Sequence, residues 1–248
     1  MTRAHRVFLP GQIWHITHRC HARAFLLNVR RDRRCWLGWL LEARRRYGLC
    51  VLNYIVTRNH VHLLVRDRGE GEIAAAMQLV AGRTAQAYNE RKQRDGAFWK
   101  DRYHATAVAS DGHLIRCMAY IDLNMVRAGA VEHPSEWRES GFCELQRLPQ
   151  RYRIIDTSEL CRLLECDTPV ALRRRVTGWT ERTLAAQPPA REPAWTESLA
   201  VGGKPFLEQV KKGLGWRAAR RGLAETGGLS CLREPAARYL LSRDSPGP

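Results

Sequence analysis

Residues 49–56 and 60–66 are two short runs rich in Val, Ile, Leu and Tyr, separated only by the polar triplet Thr57, Arg58 and Asn59. Two strand-forming runs joined this tightly have one economical solution, an antiparallel hairpin. A hairpin at this place in the chain constrains what surrounds it. Upstream, Ile13, Trp14, Ile16 and Thr17 suit a strand over residues 12–19. Residues 32–47 then place Trp36, Leu37, Leu40 and Leu41 on one helical face, and Gly48 stands where a helix end wants a left-handed residue. Downstream, Ile73, Met77, Val80 and Tyr88 recur at helical spacing across residues 71–91, and a further strand is expected over residues 97–109. A last helix starts at Ser110 or Asp111, both good N-cap residues, and runs to a stop at Gly129. The order strand, helix, strand, strand, helix, strand, helix predicts an α+β fold. Its expected form is the ferredoxin-like split βαβ arrangement, an antiparallel sheet with helices on one face.

The texture of the chain changes near Leu148. Residues 1–147 are expected to form the core domain, and residues 148–248 a basic, mainly helical extension. Within that extension Pro188, Pro189 and Pro193 separate helical stretches at 158–184 and 204–223. No run approaches the ~18 apolar residues that a membrane span requires. The first ten residues lack the apolar stretch of a signal peptide, so the expected location is the cytoplasm, with no membrane partner. The eight cysteines are then reduced, and they are scattered without a CxxC pair. They read as small core residues rather than zinc ligands.

Charge narrows the partner. The chain carries 41 Lys and Arg against 25 Asp and Glu, a net +16 with a pI near 10.2. Such a surface suits a polyanion, and both the core and the extension are basic. The first fifty residues hold 11 arginines and, as acids, only Asp32 and Glu42, so phosphate contacts are expected there. Lys211, Lys212, Arg217, Arg220 and Arg221 form a second basic cluster near the C-terminus.

Two constellations bear on chemistry. In His60-Val61-His62 the imidazoles occupy alternate strand positions and project from one face of the sheet. Such a pair suits a divalent metal but needs a third ligand from elsewhere; the same pattern also fits surface histidines or hydrogen-bonded core histidines. On the last core helix, Tyr120 and Asn124 lie one turn apart, with Arg116 and Arg127 extending their stripe. Leu114, Cys117, Met118, Ile121 and Met125 form an apolar stripe beside them that can pack on the sheet. A separate pair of HxT tripeptides, His15-Ile16-Thr17 and His104-Ala105-Thr106, lies 89 residues apart.

The stretch Asn59-His60-Val61-His62-Leu63-Leu64-Val65, followed by Tyr120-Ile121-Asp122-Leu123-Asn124-Met125-Val126-Arg127-Ala128-Gly129, closely resembles the REP-associated tyrosine transposases. These are relatives of the single-tyrosine HUH insertion-sequence transposases. Phe98-Trp99-Lys100-Asp101-Arg102-Tyr103-His104 and, in degraded form, Glu136-Trp137-Arg138-Glu139-Ser140-Gly141-Phe142 share the likeness, which covers residues 10–145. The resemblance implies a ferredoxin-like catalytic domain in which His60 and His62 bind Mg²⁺ or Mn²⁺, Asn124 takes the third ligand position, and Tyr120 is the nucleophile. It also implies single-stranded DNA substrates near imperfect palindromic hairpins, a 5′-phosphotyrosine intermediate, and a bacterial protein associated with the nucleoid. Arg19, Arg102, Arg116 and Arg127 are the candidate DNA contacts, and the expected assembly is a monomer or homodimer. One departure stands out: relatives carry proline where this chain has Met125. Two other readings compete. The paired HxT tripeptides resemble the two-histidine phosphoesterases, which act on RNA ends without metal; otherwise His15 and Thr17 share the sheet face of His60 and His62. A non-catalytic hairpin-binding protein on a transposase fold is the third.

Overall fold

The structure, a computed structural model, describes residues 8–110, 112–147, 152–186 and 191–233. Asp111, Leu148, Pro188 and Pro189 lie outside the described residues, as does the side chain of Arg217. The first strand, β1 (Ile13–Arg19), leads into α1 (Arg30–Tyr47), which ends at Gly48 with φ of 65°, a left-handed conformation cheap only for glycine. β2 (Cys50–Val56) and β3 (His60–Arg66) form the expected hairpin. Thr57 closes its turn, its backbone N–H donating to the His60 carbonyl at 2.9 Å. α2 (Glu72–Lys92), β4 (His104–Val108), α3 (Gly112–Asp122) and α4 (Asn124–Arg127) follow.

β3 and β4 flank β1 antiparallel, and β2 pairs antiparallel with β3. The order β2-β3-β1-β4 puts β1 and β3 in the centre, where their apolar residues are buried. Helices cover both faces rather than one. Tyr54 shares a cavity with Arg34 and Leu37 of α1, and Trp99 stacks on His18 while its indole N–H donates to Ala81 of α2 at 3.0 Å. That is the face of α1 and α2. The opposite face, where His15, Asn53 and His62 project, is covered by α3 and α4: Asn53 Nδ2 donates to Asp122 at 2.9 Å and Asn124 donates to His62. The sequence-based expectation misses this second layer because the apolar stripe of α3 identifies a packed helix without saying which face it packs on.

α5 (Gly141–Leu145) sits against β2. Gly141 permits that approach, since a methyl group there would collide with Asn53 Oδ1. α6 (Thr157–Leu163) and α7 (Pro169–Ala186) replace the single helix expected over 158–184; Pro169, which favours a first helical turn, opens the second one. α8 (Ala194–Glu197), β5 (Ala200–Val201), α9 (Lys204–Leu214), β6 (Gly222–Thr226) and β7 (Leu229–Arg233) complete the described chain. The helix expected over 204–223 therefore stops early, at Gly215 with φ of 53°. The C-terminal segment also supplies strands: β5 pairs parallel with β4, and β7 and β6 extend the same sheet to seven strands among the described residues. The result is a mixed sheet flanked by helices, with a largely helical C-terminal part joined to its edge.

Candidate active site

β1, β3 and β4 bring one set of alternating residues together. Across the ladder Thr17 faces His62 and His104, and His15 faces Leu64 and Thr106. His60 and His62 project from the same face, as their alternation requires, with ring centroids 4.9 Å apart. His60 Nδ1 lies 2.7 Å from Asn59 Oδ1, leaving Nε2 as its outward nitrogen. His62 is enclosed: Nδ1 is 2.8 Å from His15 Nε2, and the Asn124 amide nitrogen donates to Nε2 at 2.9 Å. Burial is the largest cause that lowers the pKa of His62 well below 6.5, and the neighbouring His60, His15, Arg127 and Arg19 push the same way. His60 is lowered to about 3, by burial first and then by Arg19 and Arg127. Both rings are therefore neutral, the form that has a lone pair to give.

Tyr120 comes from the last turn of α3. The helix expected to run unbroken to Gly129 is interrupted at Leu123, whose φ and ψ are −82° and 6°, although the segment holds no proline and Met125 follows Asn124. The Tyr120 carbonyl accepts from Arg127 Nη2 at 2.5 Å instead of serving the next helical turn. A side chain inserted into the hydrogen-bond ladder breaks a helix as a proline does. The same guanidinium sits 4.0 Å over the Tyr120 ring. That ring lies edge-on to His62 and His15, with centroids 5.9 and 6.2 Å away, and is 7% exposed. Burial raises the phenol pKa above 10, and the Arg127 charge opposes the rise.

In front of the two histidines opens a cavity of about 460 Å³ whose lining includes Arg19, Arg23, Lys100, Arg102 and Arg191. Arg19 and Arg102 thus share the cavity with His60 and His62, and Arg127 covers Tyr120, which does not itself line the cavity. Arg116 is placed elsewhere, paired with Glu192 at 3.3 Å and donating to the Gly227 carbonyl at 3.0 Å. Sequence reasoning overlooked Arg191 and Trp195, which reach the site from the C-terminal segment. The backbone oxygen of Trp195 accepts from His15 Nδ1 at 2.9 Å and from Thr106 Oγ1 at 3.1 Å. Trp195 lies 180 residues from His15, so no local signal links the two.

The donor set fits a metal in part. Among the described residues no group of three or more His, Cys, Asp or Glu side chains is arranged to hold an ion. The third donor would have to be the amide of Asn124, whose oxygen replaces its nitrogen after a half-turn of the side-chain amide. Cys20 and Cys50 are poor donors: burial pushes their thiols up to about 12 and about 11, so they stay protonated. The HxT pair does not form two accessible imidazoles. His15 is fully buried with both nitrogens bonded, and His104 Nε2 lies 3.0 Å from the Ser198 carbonyl.

Residues 10–124 match the family described as "Transposase IS200 like". No curated protein matches the chain. Among solved structures, the chain is similar to a REP-associated tyrosine transposase bound to a REP hairpin, with a TM-score of 0.51 and 18% identity over 63% of this chain and 94% of that one. A weaker likeness, with a TM-score of 0.35 and 16% identity, links 49% of the chain to 96% of a putative transposase from Deinococcus radiodurans. The family match lies within residues 10–124 and does not extend to the C-terminal segment. No helix among the described residues is long and apolar enough to cross a membrane.

Proposed function

We propose that this protein is a REP-associated tyrosine transposase built on a ferredoxin-like scaffold, which cuts and rejoins single-stranded DNA beside palindromic hairpins. One observation carries the reading: His60, His62 and Asn124, distant in sequence, converge on one patch beside the Tyr120 ring and behind a cavity rimmed by arginines. The hairpin-bound relative of similar fold supports the choice of substrate class.

In this reading His60 and His62, with the amide oxygen of Asn124, hold Mg²⁺ or Mn²⁺. When bound, such an ion offsets the negative charge of the scissile phosphate and fixes it for in-line displacement. Arg19 and Arg102, on the cavity wall, hold adjoining phosphates of the strand. Arg127 lies against the Tyr120 ring, so its charge favours the phenolate as the proton leaves. The Tyr120 Oη–phosphorus bond forms as the bond from phosphorus to the 3′ oxygen breaks. The proton lost from the phenol is balanced by one gained at that oxygen, giving a 5′-phosphotyrosine and a free 3′-OH. Because the diester is exchanged rather than hydrolysed, a 3′-OH can reverse the step and join strands without ATP.

The test is direct. The protein is mixed with a labelled single-stranded hairpin oligonucleotide and Mn²⁺, and the products are separated on a denaturing gel. A protein–DNA adduct that disappears with EDTA is expected. Binding without adduct across metals and hairpin sequences would leave a non-catalytic hairpin-binding protein.

A further inference from the structure

His62 cannot present a lone pair to its surroundings unless its proton is held on the other nitrogen, and the structure contains the groups that would hold it there. The Trp195 carbonyl, 2.9 Å from His15 Nδ1, can only accept, so that nitrogen of His15 carries the hydrogen. In a neutral ring the other nitrogen, His15 Nε2, is then bare and must accept. Its partner at 2.8 Å is His62 Nδ1, which therefore donates. The proton on Nδ1 leaves His62 Nε2 with its lone pair facing the Asn124 amide at 2.9 Å. Each link is buried: Trp195 and His15 are fully enclosed and His62 is 2% exposed, so water does not compete for these groups. The Thr106 hydroxyl of β4 lies 3.1 Å from the same oxygen and shares its one hydrogen with the Ser198 carbonyl at 2.7 Å. His60 follows the same logic locally, because Asn59 Oδ1 at 2.7 Å takes the Nδ1 hydrogen.

We infer that His15 is a positioning residue: anchored by the backbone carbonyl of Trp195, it locks His62 in the Nδ1-protonated tautomer and so turns Nε2 toward the metal position. The part of this inference that concerns metal rests on the proposed function, whereas the tautomer does not. The C-terminal segment thereby reaches the centre of the site through a backbone atom. Partners of this kind behind a metal-binding histidine fix ring orientation and tautomer, and removing one costs roughly 10–100-fold in metal affinity.

Two measurements test the inference on the full chain. Long-range ¹H–¹⁵N correlation spectra of the metal-free wild-type protein should show His62 protonated at Nδ1 and bare at Nε2. Proton occupancy at Nε2 would overturn the inference whether or not the protein cuts DNA. Mn²⁺ titration followed by electron paramagnetic resonance should give a Kd raised roughly 10–100-fold in His15→Leu. His15→Gln, whose amide can both accept from His62 and donate toward Trp195, should restore it to within a few-fold of wild type. An unchanged Kd in a folded His15→Leu protein would overturn the inference. If His15→Leu does not fold, the wild-type spectrum and His15→Gln still decide: a His62 tautomer that stays mixed in wild type refutes the lock. A wild-type protein that shows the tautomer and binds Mn²⁺ but forms no DNA adduct refutes the proposed function and leaves this inference standing.

Discussion

Mild acid should destabilise this protein through its buried histidines. His15 and His60 are held neutral in the fold, each lowered from 6.5 to about 3, mainly by burial. Between those values the unfolded chain binds a proton that the folded chain refuses, so stability present above pH 6.5 is lost as the pH falls through this window. At pH 5.5, one unit below the unfolded value, each histidine shifts the unfolding equilibrium about tenfold, or about 1 kcal/mol. That figure hardly depends on the folded value, provided it lies well below 5.5. His15 and His60 together shift the equilibrium about a hundredfold, and His62, shifted in the same direction, adds to the loss. Asp122 works the other way. Burial lifts its carboxyl to about 7, and protonation between pH 7.5 and 5.5 returns about 2 kcal/mol. A bare pH profile would mix these contributions, so the variant matters. Urea unfolding of wild type and His15→Gln at pH 7.5 and 5.5 cancels Asp122 and leaves the contribution of His15. Wild type should lose about 1 kcal/mol more than the variant over that interval. Identical pH dependence in the two proteins would show that His15 is not held neutral, and the chain of donors from Trp195 to His62 would fail with it.

Other outcomes follow from the same geometry. Tyr120→Phe should abolish the covalent adduct while leaving the thermal midpoint and hairpin affinity near wild type, because only the hydroxyl is removed; Tyr103→Phe, whose ring packs against Phe8 and His18, should keep the adduct. Mass spectrometry should place the 5′-phosphate on the peptide containing Tyr120. His60→Ala and His62→Ala should each abolish cleavage yet retain most DNA binding in a filter assay, and full cleavage in EDTA would contradict this. Replacing both Lys211 and Lys212, exposed on α9, with alanine should lower the log–log salt slope of single-strand binding by about 1.4, at ~0.7 for each phosphate no longer neutralised. A chain ending at Arg147 should melt far below the full chain in calorimetry, since it lacks the bonds from Ala107 of β4 and the adjoining Ala109 to Leu199 and Val201 and uncovers the part of β4 that Trp195 packs against.

The sequence was most legible where one local period decides. The alternation in His60-Val61-His62 and the three-residue turn before it were enough to place two imidazoles on one face, and the ladder confirms that placement residue by residue. Positions that depend on competition between distant groups were not readable in this way. Tyr120 and Asn124 were expected on one continuous helix because each residue from 112 to 128 tolerates helix; what interrupts it is the Arg127 side chain, which captures the Tyr120 carbonyl. No propensity scale contains that event, and no proline stands between residues 112 and 128 to signal it. The C-terminal segment shows the same limit at larger scale. Its composition suggested a basic helical appendage, but two residues, Ala200 and Val201, are enough to pair with β4 and bring a carbonyl at Trp195 to a histidine 180 residues away. A backbone oxygen has no sequence signature, since every residue carries one. It follows that the histidine pair could be found by reading along the chain, whereas the groups that would govern its protonation could be found only after folding had put Trp195 beside His15 of β1.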